Sequence, residues 1–342
     1  MPRAIARALL AAVILIPIAA AARQEDGTLG LIQTPNNGLP AIVLAGQSFE
    51  AVLTDRAELA LIGGGATYAL NADWATLPGG RHKAECTVAA NVPPGTYTLH
   101  ATGKTQEDKN GRAVYLRETF PDEYLVTHIT DTHIGKDQRH PRTSGAINRD
   151  VFTAVNDTGA AFVLVTGDLT ESGEPEQFRR FLEILDTCLY PTYVCPGNHD
   201  RLGLHYEHFF GPLTYMFRFG KDGYLVFDTK DFMIADELGP QDTRLQLFRR
   251  AIKPCRWSIG VTHRYEPMMG MRSQLALFVD DPLHLLIFGH WHEANGPDQT
   301  RVPWGTTYII VTPAAIDGSL RVFDVSARGP MPREPQQVAA VE

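Results

Sequence analysis

Cys195-Pro196-Gly197-Asn198-His199-Asp200 closes an apolar, β-branched run that starts at Thr192. Pro196 and Gly197 force a tight turn there. Three side chains able to bind metal or move a proton follow at once: Asn198, His199 and Asp200. A turn at the C-terminal edge of a strand is where α/β proteins hold their chemistry. Taken alone the motif says little, because surface turns favour Gly, Asn and Asp in any protein.

Four other strand-like runs end in the same way. Tyr124 to Thr130 leads into Asp131-Thr132-His133, and Phe162 to Thr166 into Gly167-Asp168. Trp257 to Thr262 ends at His263, and His284 to Phe288 leads into Gly289-His290-Trp291-His292. Carboxylate, imidazole and amide oxygen without thiolate suit divalent metals of borderline to hard character. One histidine at a strand end is ordinarily a packed or solvated residue. Strand after strand ending in a ligand type points to one shared site.

The ordered series D-x-H, G-D, G-N-H-D, H, G-H-x-H resembles the calcineurin-like metallophosphoesterase family, with each motif intact between about Pro121 and Val325. The resemblance implies an α/β domain in which two mixed sheets pack face to face between helices, a four-layer αββα sandwich. It implies two divalent metal ions (Mn, Fe or Zn), with Asp131, His133 and His292 on one. Asn198, His263 and His290 would hold the second, and Asp168 would bridge the pair. Two such ions neutralise phosphoryl oxygens and generate hydroxide near neutral pH. By the same resemblance His199 is no ligand but faces the phosphate, stabilising charge or protonating the leaving oxygen. Asp200 orients the His199 ring, caps the following turn, or does both.

One departure is informative. Purple acid phosphatases, related to this family, carry a tyrosine ligand three positions after the bridging aspartate; this chain has Glu171 there. It also has His133 where those enzymes have a non-ligand. The series fits the branch containing bacterial phosphodiesterases better.

The chain has 342 residues, room for two domains, and 44% hydrophobic with 20% charged residues, as in ordinary globular proteins. Arg3 and Arg7, an apolar stretch from Ala8 to Ile18 and the small residues Ala20-Ala21-Ala22 read as a signal peptide over 1–22, so the predicted location is periplasmic or secreted. The apolar segment contains Pro17 and falls short of the ~20 residues of a spanning helix, so no membrane span is expected in the mature chain. Net charge is -8 and becomes -10 once Arg3 and Arg7 leave, which gives no basic footprint for nucleic acid. Export permits disulfides among Cys86, Cys188, Cys195 and Cys255, while buried thiols fit equally well.

From 28 to 119 period-two runs bounded by Gly and Pro predict a small all-β, immunoglobulin-like sandwich serving as an accessory module. Lys83 to Val88 and Thr96 to Ala101 alternate cleanly, and Gln106 to Arg112 reads as a hairpin tip. Phe120-Pro121-Asp122 marks a boundary at which the two units are expected to be separable. Residues 121–326 form the catalytic domain, with helices over Gly145 to Thr158, Pro175 to Thr187 and Gln241 to Ile252. Residues 327–342, rich in Pro, Gln and Ala, read as a flexible tail.

The functional expectation is an exported two-metal hydrolase of phosphodiester bonds, acting on a small phosphate ester. A phosphomonoesterase or nucleotidase of the same fold is the alternative, and a surface-binding protein with a vestigial metal site a further one. Arg139, His140 and Arg142, then His205 and His208, are candidates to line the pocket. So are Arg264 and Tyr265, with Met268, Met269 and Met271 as an apolar rim.

Overall fold

A computed structural model describes residues 23–24, 26–229, 240–265, 276–294, 300–301 and 305–342. The expected signal peptide and the methionine rim lie outside the described residues. No described helix is long and apolar enough to cross a membrane.

Residues 32–117 build two facing sheets. One orders Ile32–Thr34, Ser48–Leu53, His82–Thr87 and Asn71–Thr76; the other orders Ala41–Leu44, Glu107–Arg117, Gly95–Thr102, Glu58–Gly63 and Ala66–Ala69. Phe49, Ala51 and Leu53 point inward while Glu50 is exposed, and they join Leu61, Cys86 and Leu99 in the core between the sheets. Gln106 to Arg112 is not a hairpin tip. It supplies most of the long strand Glu107–Arg117, because its inward polar groups find partners. Asp108 accepts from the Ile32 amide at 2.7 Å, and the Asn110 amide donates to Pro35 O at 3.1 Å.

Two six-stranded mixed sheets follow. The first runs Thr192–Cys195, Phe162–Thr166, Tyr124–Thr130, Ser319–Ser326, Gly329–Pro332, its first three strands parallel. The second runs Tyr215–Phe219, Asp222–Val226, Ser258–Val261, Leu285–Phe288, Tyr308–Val311, Thr300–Arg301, with four neighbouring strands parallel. Parallel strands buried on both faces read as unbroken apolar runs, as Phe162–Thr166 does. Phe162, Tyr193, Tyr224, Ile259 and Leu285 fill the space between the sheets. There Tyr193 stacks on Phe217 at 3.6 Å and Phe217 on Tyr224 at 4.8 Å.

Helices cover the outer faces. Ser144–Val155 starts where Thr143 accepts a hydrogen bond from the Ala146 amide. Pro175–Leu185 has Pro175 in its first turn and buries Phe178, Phe181, Leu182 and Leu185 on the first sheet. Pro240–Ile252 lies over the second sheet through Leu245 and Ile252. The four-layer arrangement preceded by a β module is as expected.

The end of the chain is not a loose tail. Gly329–Pro332 and Gln336–Gln337 both pair with Ser319–Ser326, and Ala339 is buried in the first helix–sheet core. All four cysteines are free thiols.

The two units are closely joined. Gly38 O accepts from the Val194 amide at 2.9 Å, so the loop between the module strands Ile32–Thr34 and Ala41–Leu44 covers the edge strand Thr192–Cys195. Asn37 donates to Asp186 at 2.6 Å and Leu29 N to His208 O at 2.8 Å. Arg23 donates to Phe209 O with its guanidinium 5.4 Å from the Phe210 ring, and Arg112 donates to Cys188 O. Uncovered strand edges invite aggregation, so separation at Pro121 has a cost. A fragment starting at Pro121 is expected to melt at least about 10 °C below the full chain, since each lost bond counts for ~1 kcal/mol. Calorimetry on both is the check; equal melting would show the units to be independent.

Candidate metal centre

The parallel strands of both sheets end at one edge of the sandwich, and each motif starts there. Ladder bonding continues past the strand ends: His133 N donates to Asp168 O at 2.8 Å, Asp131 N to Gly167 O at 3.1 Å, and Gly289 N to His263 O at 3.0 Å. The loops therefore meet backbone to backbone. A Cβ on Gly197 would sit 2.1 Å from Asp168 Oδ1, and one on Gly289 would sit 1.7 Å from Thr130 Oγ1. Only glycine fits either place.

Six described residues other than glycine have left-handed φ, and five of them are Asp131, His133, Asp168, His290 and His292. Such strain collects at functional sites.

These side chains converge in three sets: Asp131, His133 and His292; His133, Asp168 and His199; and Asp168, His263 and His290. Within each set the ligand atoms lie within 4.8 Å of one another. Asp168 Oδ2 lies 3.1 Å from His263 Nε2 and 3.7 Å from His133 Nε2, between the two histidine groups. His133 Nε2 faces His292 Nε2 at 3.3 Å, and His290 Nδ1 faces His263 Nε2 at 3.2 Å.

Partners behind the rings fix their orientation. His263 Nδ1 donates to Thr166 O at 2.8 Å and His133 Nδ1 to the Glu171 carboxylate at 2.6 Å, which leaves both Nε2 atoms pointing inward. His128, passed over in the sequence, is fully buried beneath the centre and joins Thr166 of one sheet to Thr312 beside the other, at 2.7 Å each. Burial, then Arg321, lowers its pKa to about 3, so it is a neutral crossbar. A histidine inside an apolar strand was its only signal.

Charge at the centre favours a cation. Burial alone would raise the Asp168 carboxyl, but His263, His133 and His199 hold it well below the usual carboxylate range. Burial likewise works against charge on His263, yet Asp168 and Asp131 raise its pKa to about 10. Burial, then His263, lowers His290 to about 4. Asp131 Oδ2 accepts from His290 N and Thr130 Oγ1, while Asp131 Oδ1 and Asn198 Oδ1 are buried and accept no hydrogen bond. Orphaned buried acceptors beside inward-facing imidazoles are what divalent cations satisfy. The donor set fits the metals that the motifs imply.

Asp200 does not orient His199. Its Oδ2 accepts from Gly197 N at 2.8 Å and Leu169 N at 3.0 Å; its Oδ1 accepts from Thr170 N at 2.9 Å and Thr170 Oγ1 at 2.8 Å. The carboxylate caps its own turn and ties it to the loop carrying Asp168. Burial, then Asp168, raises its pKa to about 6, against the pull of those donors. The partner of the His199 ring is instead Glu171 O, which accepts from Nδ1 at 2.6 Å.

Other candidates have structural partners. Arg139 and His140 clasp Asp317, Arg142 holds Ala340 O and Asp150, and His205 faces Gly173 O. His208 is exposed and Tyr265 buried.

A profile of the calcineurin-like phosphoesterases matches residues 124–294, half the chain, and the chain belongs to that family. A glycerophosphodiester phosphodiesterase of Enterobacter lignolyticus is 34% identical over 82 residues, which cover 22% of this chain and 29% of that protein. A probable cyclic nucleotide phosphodiesterase of Vesicomyosocius okutanii is 24% identical over 185 residues, 50% of this chain and 79% of that one. The chain thus spans under a third of the first relative's length. In fold it is similar to a purple acid phosphatase from yellow lupin, with TM-score 0.54, 13% identity, and 83% of this chain and 69% of that one covered.

Asp200→Ala would leave three buried amides and a hydroxyl without an acceptor, at ~1–3 kcal/mol each. A loss of at least about 3 kcal/mol in urea unfolding at pH 7 is expected. Parent-like stability with reduced turnover alone would restore the ring-orienting role.

Proposed function

We propose that this phosphoesterase is an exported enzyme that hydrolyses phosphodiester bonds using two divalent metal ions. Asp131, His133 and His292 would hold one ion, Asn198, His263 and His290 the other, and Asp168 both. The observation that carries the reading is the position of Asp168 Oδ2 between the His263 and His133 nitrogens. Bound metals would offset phosphoryl charge and lower the pKa of water. Manganese, iron and zinc all suit this donor set.

The remaining chemistry falls to the chain's own groups. With Nδ1 donating to Glu171 O, the His199 ring turns Nε2 toward the centre, 4.0 Å from Asp168 Oδ2. In the doubly protonated ring the Nε2 proton can pass to the departing alkoxide, while the Nδ1 proton stays hydrogen-bonded to Glu171 O. His199 is a third exposed, so substrate can reach it.

Diester preference has its own support. A monoester carries about one more negative charge than a diester, and a site built for it needs cations beyond its metals. The cations nearest the motifs are engaged. Lys136 pairs with Glu171 at 3.1 Å, and Arg201 lies between Glu207 and Asp228 at 3.5 and 3.7 Å. Arg264 is partnered as well. The names of the relatives point the same way. Export is supported by the leader pattern alone. The β module over 28–119 is proposed as an accessory unit to a catalytic domain over 121–326.

The test is a matched pair, bis-nitrophenyl and mono-nitrophenyl phosphate, with metal content measured on the same sample. Two metal equivalents and a kcat/KM for the diester at least equal to that for the monoester are expected. A tenfold advantage for the monoester, about 1.4 kcal/mol of transition-state preference, would make the chain a phosphatase. His199→Ala should keep its metals and lose ~10²–10⁴-fold in turnover, more on alkyl than on nitrophenyl esters. Equal losses on both would remove the proton-donor role.

A further inference from the structure

Glu171 contacts the centre twice without being one of its ligands. Its carboxylate Oε2 accepts from His133 Nδ1 at 2.6 Å, and its main-chain oxygen accepts from His199 Nδ1 at 2.6 Å. The two rings lie edge to face, 4.9 Å between centroids. Lys136 Nζ anchors the carboxylate from the far side, 3.1 Å from Oε1 and 3.2 Å from Oε2. We propose that Glu171 is a positioning residue that sets both rings through two different groups: the carboxylate presents His133 Nε2 for metal capture, and the carbonyl presents His199 Nε2 for the leaving oxygen.

The physical argument is one of tautomer and aim. A neutral imidazole that donates through Nδ1 has its lone pair on Nε2, the atom facing Asp131 Oδ1 at 3.8 Å and Asp168 Oδ2 at 3.7 Å in His133. A carboxylate behind a ligating ring also makes that ring a stronger donor, and removing such a partner typically weakens metal binding ~10–100-fold. His133 is nearly fully buried and the Glu171 carboxylate only partly exposed, so a water taking its place would lack the charge and the anchoring by Lys136. The aim of the His199 ring is set by the main-chain bond at 2.6 Å, with the carboxylate Oε2 farther off at 3.9 Å, so it is kept by a substitution at 171 that keeps the fold. The two functions can therefore be separated by side-chain changes at one position.

This inference rests on the metal-centre reading above, and metal binding tests it apart from turnover. Metal-free parent, Glu171→Ala and Glu171→Gln are titrated with Co²⁺ alone, followed by calorimetry and by the visible spectrum, with thermal melting to confirm folding. The parent is expected to bind two equivalents. Glu171→Ala should weaken one of the two by ~10–100-fold and leave the other within about twofold. Glu171→Gln keeps an acceptor without the charge and should fall between, ~3–10-fold. In both variants the ratio of alkyl to nitrophenyl ester hydrolysis should match the parent, because the carbonyl under His199 remains. Affinities within twofold of the parent in the glutamine variant would overturn the proposal, even if the alanine variant fails to fold. Loss of both Co²⁺ equivalents together, or a changed ester ratio, would reduce Glu171 to a structural role and overturn it too. A parent that binds no Co²⁺ would end the metal-centre reading and this inference with it.

Discussion

Two carboxylates, Asp131 and Asp168, are buried side by side where the two sheets meet, and most of the surrounding architecture answers that fact. Buried anions without compensation cost several kcal/mol each. His263 lies within 4.0 Å of both, His133 within 3.8 Å, and Asp200 ties its own turn at Gly197 N to the loop carrying Asp168 through three donors of that loop. Even so, Asp131 Oδ1 has only imidazole nitrogens beside it, the nearest being His292 Nε2 at 3.2 Å, and no well-formed hydrogen bond. A folded chain that tolerates this has a use for concentrated negative potential, and cation binding is the chemistry it serves.

The same constraint explains the close contact of the loops. To face one another across a few ångströms, the ligands must come from strand ends whose backbones touch. Gly197 and Gly289 stand at the points of contact, and His128 holds the two sheets in register beneath them. The β module covers Thr192–Cys195, the edge strand that leads directly into the Gly197 turn.

Much of this was legible in the sequence because it depends on short-range pattern. Strand ends followed by Asp, Asn and His announced the centre, and Pro175 with its apolar stripe announced a helix. What stayed hidden depends on partners far along the chain. Gln106 to Arg112 contains a turn-like Asn110-Gly111 pair but forms a strand because Ile32 and Pro35 satisfy Asp108 and Asn110. The last residues look loose by composition, yet Gln336 and Gln337 pair with Leu320 and Ser319, and the Gln337 amide donates to Asp317 O. Of the two roles open to Asp200 the structure has the capping one and not the orienting one, and nothing local shows that Leu169 and Thr170 also point their amides at it.

The left-handed backbone at Asp131, His133, Asp168, His290 and His292 carries a consequence for how such a site can change. Glycine enters that conformation freely, and Asn, Asp and His more often than other side chains; Glu, Cys and β-branched residues are disfavoured further, within a penalty of about 1–3 kcal/mol. The repertoire of replacements at these five positions is therefore narrow before any question of metal preference arises. Adaptation to a different ion or ester is easier through neighbours with ordinary backbone, such as Glu171, Lys136 or Trp291, than through exchange of the ligands themselves. The chain's freedom to diversify lies in the ring of residues around the centre, while the strand ends confine the centre to a small chemical vocabulary.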